Sequence, residues 1–411
     1  MGPYDCAILR HLVARLRQPR KVAIDMNRIA KTRMFMPGPT PYLPEAMTQA
    51  LVTPMHHRKE DFRNLFREVQ AGLQQVFKTR NEILILACSG SGGMESAMVN
   101  TMAPGEKALL GVAGKFGERW LELADTFGVE PVTIQVPYGE SIEPARIAAE
   151  LEAHPDISAV FLQATETSTG AMMDLEGIAA VVRKREDVIL VVDAITGLGT
   201  TPVCTDDWGL DIVVGGSQKA FMVPPGIAML SISARAWQRI EKCSRPRYYL
   251  DLMRERKAQA QGQSAYTPAI SLIQGLKAAL DLILKMGVDN LIANAALQAG
   301  ASRAAIQRWE MRIFPRVSGN AVTAFVPPAG VDPSGVIKSM RDSFGVLISG
   351  GQGSMKGKIL RIGHLGYFDF LETLGMIGCL EIALTEAGAS LETGSGCRAA
   401  LEYYRESGRS Q

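Results

Sequence analysis

The sequence predicts an α/β fold: a large domain with a mainly parallel sheet covered by helices, plus a smaller C-terminal α/β domain. Three observations carry this expectation. Apolar runs of strand length alternate with stretches of helical spacing from about residue 60 to residue 214. The strands are nearly unbroken apolar runs, as required when both sheet faces are covered. Glycine is abundant, 40 of 411 residues, with no collagen period, which suits many tight turns and close backbone approaches.

Taken in order, Phe62, Leu65, Phe66, Val69, Leu73, Val76 and Phe77 recur at helical spacing over 60–78. Glu82 to Ala87 reads as a strand, followed by a small-residue turn and a helix from Met94 to Met102. The unit then repeats: Ala108 to Val112 as strand, Phe116 to Phe127 as helix, Pro131 to Val136 as strand, Ala145 to Ala153 as helix. Ala159 to Gln163, the helix Leu175 to Arg185, Val188 to Val192 and Asp211 to Val214 complete the series. A long helical region over 271–311 leads to a shorter unit: strand 321–326, helix 333–344, strand 359–362 and helix 370–386. The expected organisation is a basic extension over 1–33, a large domain over 34–290, a small domain over 291–388, and a linker with a tail helix over 389–411.

Composition excludes several function classes. Lys plus Arg number 44 against 42 Asp plus Glu, so nothing in the overall charge argues for nucleic acid. The strongest apolar run, Val188 to Ala194, contains Asp193 and is too short to span a bilayer. The six cysteines show no CxxC spacing, and a chain of this length does not depend on disulfides, so reduced thiols in a cytoplasmic setting are expected. The five histidines form no HExxH-like set, so no metal is expected. The first 33 residues are strongly basic, with Asp25 the lone acid between Arg10 and Arg33, and read either as an ordered arm or as a loose or targeting extension.

In open parallel sheets ligands bind beyond the carboxyl ends of the strands, and four features fall there. Ser89-Gly90-Ser91-Gly92-Gly93 lies between strand and helix, where converging N–H groups suit an anion; an ordinary tight turn would look the same. Asp193 directly follows an apolar strand and needs a partner, either a protonated heterocyclic nitrogen or an arginine or amide cluster. Lys219 follows the next strand within Ser217-Gln218-Lys219; it is either a solvated loop lysine or, with a lowered pKa, a Schiff-base lysine. The 26 residues from Asp193 to Lys219 allow one crossover between adjacent parallel strands, which would bring both to the same sheet edge. An electron-sink cofactor uses that pair. Arg361, alternating with apolar neighbours in Ile359-Leu360-Arg361-Ile362, offers either a carboxylate clamp or an interdomain ion pair. His364 reads as a satisfied polar residue rather than a base.

Together with Pro37-Gly38-Pro39-Thr40, Glu166-Thr167-Ser168-Thr169-Gly170 and Pro224-Pro225-Gly226, these segments resemble the class V aminotransferases. More narrowly they are similar to the alanine–glyoxylate/serine–pyruvate branch, over about 36–384 and in the same order. The resemblance implies fold type I, pyridoxal 5′-phosphate as cofactor, small amino-acid and 2-oxo-acid substrates, and a homodimer with active sites at the subunit interface. It also implies roles. Lys219 would carry the cofactor and shuttle the substrate proton, and Asp193 would hold the ring nitrogen. Ser91, Gly92, Gly93 and Gln218 would hold the phosphate, and Thr167 would bond near the ring hydroxyl. Phe116 would stack on the ring, and Arg361 would clamp the α-carboxylate. Tyr266 and Thr267 would reach the phosphate of the other subunit.

Two departures stand out. Phe116 occupies a position where tryptophan is usual, giving a smaller π surface. The His56-His57-Arg58 segment differs from the animal enzymes, so their substrate does not transfer. The implied reaction moves an amino group from alanine or serine to glyoxylate or pyruvate, with aspartate or ureidoglycine as alternative donors. A cysteine desulfurase-like reading is disfavoured because Phe116 and Gln218 stand where histidines would be needed. A non-catalytic, cofactor-binding dimer is disfavoured by the Asp193, Lys219 and Arg361 set.

Overall fold

The computed structural model describes residues 31–52 and 54–407. Apart from its last three residues, the basic segment expected over 1–33 lies outside the described residues.

Seven strands form the main sheet: β1 (Glu82–Leu86), β2 (Lys107–Val112), β3 (Glu130–Gln135), β4 (Ile157–Gln163), β5 (Ile189–Asp193), β6 (Ile212–Gly216) and β7 (Ala228–Ile232). Their spatial order is β1-β7-β6-β5-β4-β2-β3. All neighbours pair in parallel except β7, which runs antiparallel to both β1 and β6. No element is expected over 227–232 from the sequence, yet the apolar run directly after Pro224-Pro225-Gly226 forms β7.

The period of two explains why these strands are apolar throughout. Leu190, Val192, Val160, Leu162 and Val213 enter one core with the helix Glu60–Val76. Ile189, Val191, Phe161, Ile212 and Val214 enter the opposite core, with Trp120 and Trp237 from covering helices. Each fully buried Val, Leu or Ile contributes about 1.5–3 kcal/mol relative to exposure, so register is strongly specified on both faces. Asp193 is in phase with Ile189 and Val191. Its side chain therefore belongs to the face covered by the helices Gly90–Thr101 and Lys115–Phe127.

Beyond the main sheet, the helical region expected as one stretch is two helices, Ile270–Met286 and Val288–Arg308, parted at Gly287 with φ 93°. A four-stranded antiparallel sheet follows in the order β8 (Arg312–Ile313), β9 (Val322–Val326), β11 (Leu360–Gly363), β10 (Ser349–Gly350). Its core takes Phe35 from the beginning of the described chain, Ala301 and Ala305 from the helix Val288–Arg308, Leu380 from the helix Phe370–Glu386, and Ala400. Ala400 lies on the helix Ser395–Ser407, whose Tyr403 packs onto Gly300. No described helix is long and apolar enough to cross a membrane.

Candidate active site

The carboxyl ends of β1, β6, β5, β4 and β2 face one region, and the chemistry-bearing residues gather there. After β1 the chain enters a helix at Gly90, four residues earlier than the spacing of apolar residues suggested. The glycines permit this close start. A Cβ on Gly90 would sit 2.5 Å from Ile195 Cδ1, one on Gly92 2.8 Å from Cys88 Sγ, and one on Gly93 2.8 Å from Val214 Cγ1. No side chain caps this helix and its first turn has no acid, so the N-terminal N–H groups remain available to an anion.

Asp193 ends β5, buried, with Oδ1 accepting from Ile195 N at 2.9 Å. Burial foremost, with Glu166 adding to it, pushes its carboxyl up to about 6, although the Ile195 amide, Arg119 and Lys219 oppose the rise. Neighbouring β6 pairs Val214 with Asp193 and leads into Ser217-Gln218-Lys219, so a single crossover does bring aspartate and lysine to one edge. Burial lowers the Lys219 amine to about 8; Arg361 and Arg119 lower it further, while Asp193 opposes them. Lys219 Nζ donates to Pro37 O at 2.7 Å. Thr40 Oγ1 donates to Lys219 O at 2.9 Å, so the Pro37 to Thr40 segment lies directly against the lysine. Gly38, at φ 147°, is the residue that makes room: a Cβ there would overlap Lys219 Nζ.

The small sheet contributes Arg361, on β11 and buried. Its Nε donates to Gly350 O at 2.7 Å and its Nη1 to Thr167 O at 2.8 Å, while Nη2 has no partner among the described residues. Burial lowers its pKa to about 10 against the opposing pull of Glu166, and it stays a cation at neutral pH. Arg361 thus carries no ion pair among the described residues, which removes the interdomain salt bridge from the two readings of the sequence. Thr167 Oγ1 lies 2.8 Å from Thr196 Oγ1, which in turn lies 2.7 Å from Thr165 Oγ1. His364 is held neutral, its pKa lowered by burial to about 3, and its Nε2 lies 2.8 Å from Thr323 Oγ1.

Phe116 is the second residue of the helix Lys115–Phe127 after β2 and carries the guanidinium of Arg119 4.9 Å from its ring centre. Gln218 has a buried side-chain oxygen without a hydrogen bond beside the Gly216 backbone, an unmet polar group at the same edge. Tyr266 and Thr267 are placed elsewhere. Tyr266 donates from Oη to Tyr248 O at 2.9 Å and stacks on Tyr249 at 5.1 Å. The hydroxyl of Tyr249 donates to Ala87 O at 3.1 Å, two residues before the Ser89–Gly93 segment. Thr267 is exposed, and no contact links either residue to Lys219 of the same chain.

Four participants escaped the sequence reading: Arg119, Thr196, Thr40 and the carboxylate of Glu166. Thr40 and Glu166 stood inside quoted motifs without a role. Arg119 and Thr196 lie three residues from Phe116 and Asp193, the one local signal that could have flagged them.

Comparison with known proteins gives a consistent result. The family model "Aminotransferase class-V" matches residues 43–365. A soluble hydrogenase 42 kDa subunit from Anabaena cylindrica is 36% identical over 91% of this chain and 99% of its own length. An L-aspartate–glyoxylate aminotransferase from Paracoccus denitrificans is 32% identical over 91% of this chain and 96% of its own. Among solved structures, a subgroup IV aspartate aminotransferase from Thermus thermophilus superposes with a TM-score of 0.81 at 35% identity, covering 86% of this chain and 99% of its own.

Proposed function

This chain belongs to the class-V aminotransferase family and is a transaminase, and from that premise we propose that it uses pyridoxal 5′-phosphate to move an amino group from alanine or serine to glyoxylate or pyruvate. The observation that carries the reading is the convergence of Asp193, Lys219 and Arg361 at one sheet edge, each with its pKa displaced by burial.

The residues present fit the cofactor. A phosphate would meet the uncapped N-terminus of the helix Gly90–Thr101, where side chains on Gly90, Gly92 and Gly93 would collide with Ile195, Cys88 and Val214, and would accept from the side-chain amide nitrogen of Gln218. When bound, the cofactor supplies an aldehyde that takes up the amino group and a ring that draws off carbanion charge. Asp193 is an acid raised by burial despite Arg119 and Lys219 nearby, and it would hold the proton of a cofactor ring nitrogen in place. With a pKa near 8, Lys219 has about a tenth of its amine neutral at pH 7, against less than about a thousandth for an ordinary lysine. It can therefore both attack an aldehyde and move a proton at the substrate Cα. Arg361 is pinned on two nitrogens by backbone carbonyls, and its Nη2 would take the α-carboxylate. Phe116 would cover the cofactor ring, and the Thr165, Thr196 and Thr167 hydroxyl chain would orient Thr167 toward the ring hydroxyl.

Aspartate as donor is a second reading, favoured by Arg119. This cation acts on Asp193 and Lys219 yet forms no ion pair among the described residues, so a side-chain carboxylate would suit it. The exposed Tyr248 and Tyr249, packed on the half-buried Tyr266 beside Ala87, support a homodimer in which Tyr266 and Thr267 serve the partner's phosphate. A cytoplasmic setting agrees with the unpaired Cys88, Cys204, Cys243, Cys379 and Cys397.

The test is a donor-by-acceptor panel followed through the cofactor's absorbance, with light scattering for the dimer. Purified protein should show a Schiff-base band that alanine or serine bleaches and glyoxylate or pyruvate restores. Lys219→Ala should lose the band and slow turnover by at least about 10²–10⁴-fold, the usual contribution of a positioned proton carrier. Protein that neither contains nor takes up the cofactor would sink the reading. Bleaching by aspartate alone, abolished in Arg119→Ala, would move the donor to the second reading.

A further inference from the structure

Glu166 is a fully buried carboxylate at the edge of the site, and the chemistry above gives it no task. An ion in that position is costly unless its lone pairs are met. Here they are met by donors alone. Oε2 accepts from Phe116 N, Gly117 N and Gln163 Nε2, each at 3.1 Å, and Oε1 accepts from Ser168 N at 3.1 Å and Ser168 Oγ at 2.5 Å. Ser168 Oγ also accepts from Lys115 N at 3.1 Å, so the first three amides of the helix Lys115–Phe127 all end on this one cluster. The socket has been cleared for it: a Cβ on Gly114 would lie 2.6 Å from the Glu166 carboxyl carbon.

Two parts of the reaction centre hang from this anchor. Phe116 is the residue whose amide Glu166 holds, which sets the height and tilt of its ring. On the other side, Thr167 is the next residue along the chain, and its carbonyl receives Arg361 Nη1. We infer that Glu166 is a positioning residue that fixes the aromatic cover and the carboxylate clamp in one frame. This inference rests on the transaminase reading of the site.

Three variants test it. Glu166→Gln keeps the shape but removes the charge and turns one oxygen into a donor facing donors. Glu166→Asp keeps the charge at the wrong reach. Ser168→Ala removes one donor and leaves the carboxylate, and serves if the glutamine variant does not fold. In apoprotein, amide hydrogen exchange over 114–118 should quicken about tenfold or more in Glu166→Gln, while 189–193 stays as in wild type. In the loaded enzyme kcat/KM for the best donor should fall on the order of 10–100-fold, split between kcat through Phe116 and KM through Arg361.

The kinetic split separates positioning from mere stability: a variant that is only less stable loses active fraction and lowers kcat at unchanged KM, whereas a displaced Arg361 raises KM. Unaltered exchange over 114–118, kcat/KM within about threefold of wild type, or a fall confined to kcat in Glu166→Gln overturns the inference. Wild-type enzyme inert toward every amino donor would instead overturn the transaminase reading, and the exchange data would still decide whether Glu166 anchors the helix.

Discussion

Two helices begin at the same sheet edge, and their N-termini are treated in opposite ways. The helix Lys115–Phe127 has its first three amides answered from within: Lys115 N by Ser168 Oγ, Phe116 N and Gly117 N by Glu166. The helix Gly90–Thr101 has neither a capping side chain nor an acid in its first turn. Both carry the same partial positive charge at that end. In the first the protein has installed its own carboxylate, and the end becomes structure. In the second the end is left uncapped, with glycine packing in place of a plug. Asp193 and Lys219 lie at the same edge, so filling or emptying either end should be felt at both.

The largest effect is expected from emptying the filled end. Glu166→Ala leaves two helix amides, Ser168 N and the Gln163 amide facing a cavity, and opens buried space where a carboxylate stood. Removing one member of a buried charged cluster usually costs about 3–5 kcal/mol, part of which water entering the cavity would offset. Urea unfolding of the apoprotein should show a loss of that order without a change in the slope against denaturant. A loss below about 1 kcal/mol would mean that the amides find other acceptors and that the contrast between the two ends is superficial.

A smaller effect is expected from the titrating pair. Asp193 has a folded-state pKa of about 6 against 3.8, so between these values the folded apoprotein binds more protons than the unfolded chain. Stability should therefore fall as pH rises through that window, with the penalty complete above about 6, amounting to about 2–3 kcal/mol. Lys219 has the opposite sign. Its pKa is lowered from 10.5 to about 8, the unfolded chain binds more protons between these values, and stability should climb as pH rises from 8 to 10.5. Asp193→Asn should remove the first slope and leave the second. Cofactor should flatten the first slope as well, since a cation then faces the aspartate. A wild-type curve flat between pH 4 and 6 would show that the aspartate is better solvated than its burial implies.

How much of this contrast could be read in the sequence depends on which residues signal through neighbours and which through distance. Asp193 stood out because it ends a run of apolar residues, and Lys219 because it lies just beyond the next strand, at a distance that one crossover spans. Arg361 stood out for a different reason, as a charge alternating with apolar residues inside a strand of the other sheet. The start of the helix at Gly90 did not, because glycine is a poor helix former and four small polar or flexible residues read as a turn. Only the strand ends packed beneath them make that turn helical. Glu166 was visible as a letter in a motif, but its task depends on Gly114 to Gly117, about fifty residues away, and no periodicity connects the two. Gly38 is the same case at greater range: its need for a missing side chain is set by Lys219.

The smallest effect, and the most direct test of the comparison, comes from filling the open end. Ser91 is exposed in the first turn of the helix Gly90–Thr101, and Ser91→Asp would give that helix the kind of carboxylate the other already has. The two consequences have opposite signs. In apoprotein the new charge meets unsatisfied amides and the positive end of the helix, and should raise stability by about 0.3–1 kcal/mol. In the loaded enzyme it competes with a phosphate for the same amides and repels it, and should weaken cofactor binding about tenfold to a hundredfold at low salt, less at high salt. Thermal melting of apoprotein and a fluorescence titration with cofactor measure the two arms separately. Ser91→Asn, which adds a similar shape without charge, should leave affinity much closer to wild type. If the aspartate variant loses apoprotein stability and affinity together, the side chain has disturbed the fold and the helix end is not an anion site. If it gains stability and binds cofactor as wild type does, the phosphate sits elsewhere along the edge.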